Sequence, residues 1–112
     1  MPESGHTWRK AFTGIPEEAR NVRAWTAGHL AHPDAPLIAH ELFVAVLGAG
    51  PDHIEITVST AGRRIRIAAT GFLPLPFLQA HGPGAILISQ LSRSSGVSED
   101  CQTVWALFGG ES

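Results

Sequence analysis

The sequence predicts an α+β fold, a two-layer sandwich in which a mostly antiparallel sheet is covered on one face by three helices. Three observations predict it. Residues 53–69 alternate apolar and polar side chains on either side of "AGRR", which reads as two strands joined by a hairpin and therefore antiparallel. Two helical segments follow one another with no strand between them, so the order β-α-α-β-β-α-β lacks the regular alternation of a parallel sheet. The 112 residues, 44% hydrophobic and 16% charged, suffice for one core and not two, so residues 1–112 are expected to form a single domain.

"HTWRKAFTG" reads as a first strand ending at Gly14. "IPEEARNVRAWTAGHLAH" reads as a helix. Pro16 suits its first turn, Glu17 and Glu18 complement the positive end of its dipole, and Val22, Trp25 and Leu30 form an apolar stripe that Gly28 weakens. "HPDAP" ends it. Asp34 is placed to cap the next helix, Ala35 to Leu47, with Pro36 in the first turn. Leu37, Ile38, Leu42, Phe43, Val46 and Leu47 cover most of that helix's circumference, the pattern of a buried helix. "GAGPD" is a turn. "HIEITVST" puts Ile54, Ile56 and Val58 on one face and His53, Glu55 and Thr57 on the other; "IRIAAT" returns with Ile65, Ile67 and Ala69 inward and Arg66 outward. "GFLPLPFLQAHGPG" carries prolines at 74, 76 and 83 and reads as a loop. A helix starting at Gly84 places Ile86, Leu87, Gln90 and Leu91 at helical spacing, "SRSSGVSED" ends it, and "CQTVWALFGG" is a last strand with Thr103, Trp105 and Leu107 on one face.

Composition excludes several classes. A formal charge of −2 gives no broad basic footprint, so nucleic acid is not an expected partner. One cysteine, Cys101, cannot form an internal disulfide, which fits a reducing compartment. No apolar run reaches the roughly 18 residues of a membrane span, and "MPESGHTWRK" lacks the apolar centre of a signal peptide, so a soluble cytoplasmic protein is expected. The six histidines include His29 and His32, three apart near a helix end, but no thiol or second pair completes a metal set, and no metal is expected. "GPGA", residues 82–85, stands before a helix, where backbone N–H groups can hold phosphate; alone it reads more readily as a tightly packed loop. Glu41, the one acid of its helix, sits either at a solvent edge or beside an arginine such as Arg23 or Arg93.

Together these segments resemble the histidine-kinase-like ATPase family, which includes the nucleotide domains of gyrase and heat-shock chaperones, and within it the small bacterial anti-sigma-factor serine kinases. "FTGIPEEARNVRAWTAGHL" is similar to the family's first strand and helix, with Phe12, Gly14, Pro16, Arg23, Trp25 and Leu30 in step. "HELFVAVLGAG" resembles the N box, S-E-L-V-T-N-A-V-x-H-S/G. "HGPGAILISQLSRSSGV" resembles the box G-R-G-L followed by a helix and W-G, and "TVWALF" the closing strand T-V-W-A-E-L. The resemblance covers roughly residues 11–108 and rests on the order and spacing of four matches, not on any one. It implies a Bergerat-type ATPase fold.

The departures bear on function. The family's N-box glutamate activates the attacking group, and an asparagine four residues on binds magnesium. Glu41 is kept, but Ala45 stands four on, and a methyl group offers no oxygen ligand. His40 is no substitute, being about 100° away around the helix. The aspartate that accepts the adenine amino hydrogen falls at Gly71, or at Thr70 if the alignment slips, and no Asp or Glu occurs from Ile56 to Ser98. Thr103 matches the threonine that supports that aspartate. Loss of the adenine anchor weakens binding roughly 10- to 100-fold. Gly82 and Gly84 persist, but Pro83 replaces the usual arginine and Ala85 the leucine.

The resemblance thus implies a regulatory protein that keeps the fold and acts through a protein partner: a sigma factor, an anti-sigma antagonist or a second copy of itself as a homodimer. No cofactor is expected, with ATP and magnesium bound weakly or not at all, and the chain is expected not to be an enzyme. One alternative is a residual ATP-binding serine kinase, with Glu41 as general base and Gly82, Gly84 and Thr103 holding nucleotide. Another is a small-molecule module whose stripped cleft is lined by Ala45, Ala69, Phe72 and Ala85.

Overall fold

The computed structural model describes residues 5–75 and 83–110. Strand β1 spans Gly5–Thr13; a 3-10 turn, Pro16–Glu18, leads into helix α1, Ala19–His29; α2 spans Ala35–Leu47. Strands β2, His53–Ala61, and β3, Arg64–Thr70, form the expected hairpin, followed by α3, Pro83–Leu91, then β4, Ser94–Val97, and β5, Thr103–Gly109. The five strands lie in the order β1-β2-β3-β5-β4, and every neighbouring pair is antiparallel. Three helices pack on this sheet, with α2 between α1 and α3 and against β2, β3 and β5. The fold is therefore α+β, with a fully antiparallel sheet.

The alternation read from the sequence sets the inner face. Ile54, Ile56 and Val58 of β2, Ile65, Ile67 and Ala69 of β3, and Val104, Ala106 and Phe108 of β5 are buried together with Phe12 and Val22. Register keeps them level: Ile56 pairs with Ala69, and Ala69 with Val104. Helix α2 adds Ile38, Ala39, Leu42, Phe43 and Val46. Burying each such large side chain stabilises the fold by about 1.5–3 kcal/mol. Phe43 meets Phe12 edge-on, with ring centroids 6.4 Å apart, and so joins α2 to β1.

Four details differ from the sequence reading. Helix α2 is not buried all round: Leu37 and Val44 are about two-fifths exposed and flank half-buried Glu41 on its outer side. A middle helix in a two-layer sandwich has a neighbour on each flank but none above it. Asp34 does not cap α2 with its side chain. Its N–H instead donates to Nδ1 of His32 at 3.1 Å. Helix α1 stops at His29, short of residues 30–32. Most visibly, "SRSSGV" contains a strand. Serine and glycine are weak strand formers, but the free edge of β5 supplies a partner for Ser94–Val97. Gly96 allows the Trp105 indole to lie against this edge, since a Cβ there would stand 3.0 Å from the ring.

Candidate functional site

Helix α2, the start of α3 and the β4–β5 hairpin enclose a cleft of about 500 Å3. Leu42 and Ala45 come from α2, Ala85 and Ile88 from α3, Ser95, Gly96 and Val97 from β4, and Val104 and Trp105 from β5; Ser98 and Cys101 of the β4–β5 loop complete it. Each position follows from local structure. Ala45 lies three residues after Leu42 on α2, which brings both to one helix face. Ile88 lies one turn after Ala85 on α3 for the same reason. Val104 belongs to the alternating set that β5 turns toward the helices.

The β4–β5 loop is fixed by a small polar network. Ser98 Oγ donates to Asp100 Oδ1 at 2.5 Å, and the Gln102 N–H donates to the same oxygen at 3.0 Å. The Thr103 N–H in turn donates to Ser98 Oγ at 3.1 Å, and the Cys101 N–H to the Ser98 carbonyl at 2.9 Å. The Ser98 hydroxyl first, and the Gln102 N–H second, hold the exposed Asp100 carboxyl below its ordinary 3.8. Cys101 takes a left-handed φ of 59° and stays exposed at the cleft.

The positions singled out in the sequence do not all meet here. Ala45 and Ala85 line the cleft; Glu41, Ala69 and Phe72 do not. Ala69 is fully buried in the core, and Phe72 is 60% exposed. Glu41 precedes Leu42 on α2 and is half-buried. Arg23 does not turn to it: the Arg23 guanidinium donates to Nδ1 of His40 at 2.5 Å. Arg93 lies near Gly110, at the end of β5. Gly84 is the second residue of α3, directly before Ala85. Gly82 lies outside the described residues.

Thr103 is paired with Thr70 across β3 and β5, the two hydroxyl oxygens 2.8 Å apart. Because Ala69 and Val104 face the helices, the alternation turns Thr70 and Thr103 to the opposite face of the sheet. Thr103 thus has a neutral threonine as its partner, away from the cleft. Gly71 is sterically fixed: an added Cβ would stand 2.5 Å from Val46 Cγ1 and 3.1 Å from Pro51 Cγ. Any side chain there would press on Val46 of α2 and on Pro51.

The described lining of the cleft carries no carboxylate, carboxamide or cationic side chain; its polar groups are the hydroxyls of Ser95 and Ser98, the Cys101 thiol and the Trp105 indole. Among the described residues no three His, Cys, Asp or Glu side chains are grouped to hold a metal ion, and no helix is long and apolar enough to cross a membrane. Sequence reasoning missed Ser95, Val97 and Ser98 as cleft residues because it read 92–100 as a helix terminator, and Cys101 because it read that residue as the start of the last strand, which begins at Thr103. The signal present was Asp100, whose carboxylate accepts from the N–H two residues on, the pattern of a side-chain-stabilised turn. No protein-family model matches the chain, and no curated protein matches it.

Proposed function

We propose that this protein is a noncatalytic regulatory module that works by binding another protein. In this reading the sandwich resembles that of the histidine-kinase-like ATPases, nucleotide binding is weak or lost, and the partner is a sigma factor, its antagonist or a second copy. Phe72 is the observation that carries it. This bulky side chain stands two residues past the end of β3 in a left-handed conformation, φ 63°, and is 60% exposed. Such a conformation costs on the order of 1–3 kcal/mol for a residue of this kind. Neighbouring Leu73 and the α3 residue Ile86 are also exposed. Holding a phenyl group out at that cost suits an anchor that a partner buries.

The lining of the cleft supports the nucleotide half of the reading. Melting the protein with millimolar ATP and magnesium tests it: a ligand far weaker than its concentration adds no stability, so no rise in Tm is expected. A robust magnesium-dependent rise, abolished by Gly84→Pro, would contradict the noncatalytic reading. Co-purification tests the partner half. A partner recovered with the wild type and lost with Phe72→Ser is expected; recovery of the chain alone would remove the sigma-factor class and leave self-association.

A second reading is favoured by the cleft itself. About 500 Å3 with mainly apolar walls and a few hydroxyls suits a neutral, apolar small molecule. A melting screen of such compounds tests it. Hits that are lost on narrowing the cleft with Ala45→Leu are expected, and a screen without hits counts against it.

A further inference from the structure

A second concavity, of about 560 Å3, lies at the other end of strand β5 from the α3 cleft. It opens where the C-terminus of α1 meets the β2–β3 turn and the end of β5. Its lining differs in kind. Trp8 supplies an aromatic wall, His29 and His32 supply imidazoles, Arg63 supplies a guanidinium, and no carboxylate lines it among the described residues. The wall is held in place: the Trp8 ring stacks on His6 at 5.6 Å and meets His29 at 5.2 Å, and His29 meets Trp25 at 4.8 Å.

Hydrogen bonding assigns a role to each imidazole. The Trp25 carbonyl oxygen can only accept, so His29 donates to it from Nδ1 at 2.8 Å. Neutral His29 therefore keeps a lone pair on Nε2. His32 is the reverse: its Nδ1 accepts from the Asp34 N–H at 3.1 Å, so neutral His32 carries its proton on Nε2. The His32 ring is also held edge-on against Phe108, 5.0 Å between centroids. One groove thus offers an aromatic surface, an acceptor, a neutral donor and a permanent cation.

We propose that this groove binds a small planar aromatic carboxylate. The ring lies against Trp8, and the carboxylate is held by Arg63 with His32 Nε2–H as the second donor. A guanidinium recognises a carboxylate through paired charge-assisted hydrogen bonds, and an indole surface recognises a flat ring. The phosphate of a nucleotide is not required, and the site is independent of the α3 cleft, so neither its success nor its failure bears on the function proposed above.

The test uses the full chain and indole-3-acetate as probe, with indole and acetate separately as controls, followed by NMR of the backbone and indole N–H groups. Saturable shifts at the Trp8 indole and at Arg63 are expected with indole-3-acetate, and much weaker ones with either control. Arg63 is an exposed turn residue, so Arg63→Gln preserves the fold, and it is expected to weaken binding roughly 10-fold or more. His32→Phe keeps the ring packing and is expected to weaken binding less than Arg63→Gln. Absence of saturable binding would overturn the proposal. So would binding unchanged by Arg63→Gln, or shifts that map to Trp105 and the α3 cleft.

Discussion

The two concavities are nearly equal in volume, about 500 and 560 Å3, and each has a tryptophan, a hydroxyl and aliphatic side chains, yet among the described residues only one is lined by histidines and an arginine. The α3 cleft is walled by Leu42, Ala45, Ala85, Ile88, Val97 and Val104, with hydroxyls and a thiol from the β4–β5 hairpin and, among the described residues, no charge. The α1 groove has Trp8, two imidazoles and Arg63. Volume therefore says little about what either region binds. The difference arises from which strand ends meet which helix end. The cleft lies where two apolar helices cover the inner face of β5, and the groove lies where a charged hairpin turn meets a histidine-bearing helix terminus.

The largest expected effect is on what the two regions share. Phe43 is fully buried on α2 and packs on Phe12 of β1, so it ties the cleft side of the sandwich to the groove side. Phe43→Ala is expected to cost about 3–5 kcal/mol in urea denaturation. A loss below about 1 kcal/mol would mean that the two regions do not hang on a common core. Next comes Gly71→Ala, whose methyl meets Val46 on α2. It should cost about 1–3 kcal/mol as overpacking and perturb the NMR spectrum near Ala45 but not near Arg63. Equal perturbation of both would remove the distinction drawn between them.

A smaller effect belongs to the β4–β5 loop. The carboxyl of Asp100 is held below its ordinary 3.8 in the folded chain, so its contribution to stability is present above that value. It is lost as pH falls through the lowered folded value, where wild type and Asp100→Asn should converge in Tm. A difference that persisted unchanged in acid would place the cause elsewhere than in the carboxylate. Smallest of all is Glu41→Gln. Its side chain is half-buried at the outer side of α2 and does not line the cleft. The change in stability should stay within about 0.5 kcal/mol. Loss of partner binding with an intact fold would show that this acid is used.

Much of the frame was legible because period and burial agree. The alternation in "HIEITVST" and "IRIAAT" gave two strands, their inner faces and their turn, and the structure pairs them in that register. Strand β4 was not legible. Four residues rich in serine and glycine have no pattern of their own and are strand only because the edge of β5 is free. The site was partly legible. Ala45 and Ala85 were expected in a cleft and line one, whereas Ala69 and Phe72 are placed by strand register and by a left-handed backbone turn that residue type does not announce. The α1 groove was read only as two histidines near a helix end. Its character depends on Trp8 and Arg63, which are 55 residues apart in sequence and meet only through the sheet.

The function proposed above requires that the α3 cleft bind magnesium nucleotide weakly or not at all. The most direct measurement is an NMR titration with magnesium ATP, following the amides of Ala45, Ala85 and Val104 and the Trp105 indole. The account predicts no saturable shift at these positions at millimolar nucleotide. Saturable, magnesium-dependent shifts at Ala45 and Ala85 would contradict it.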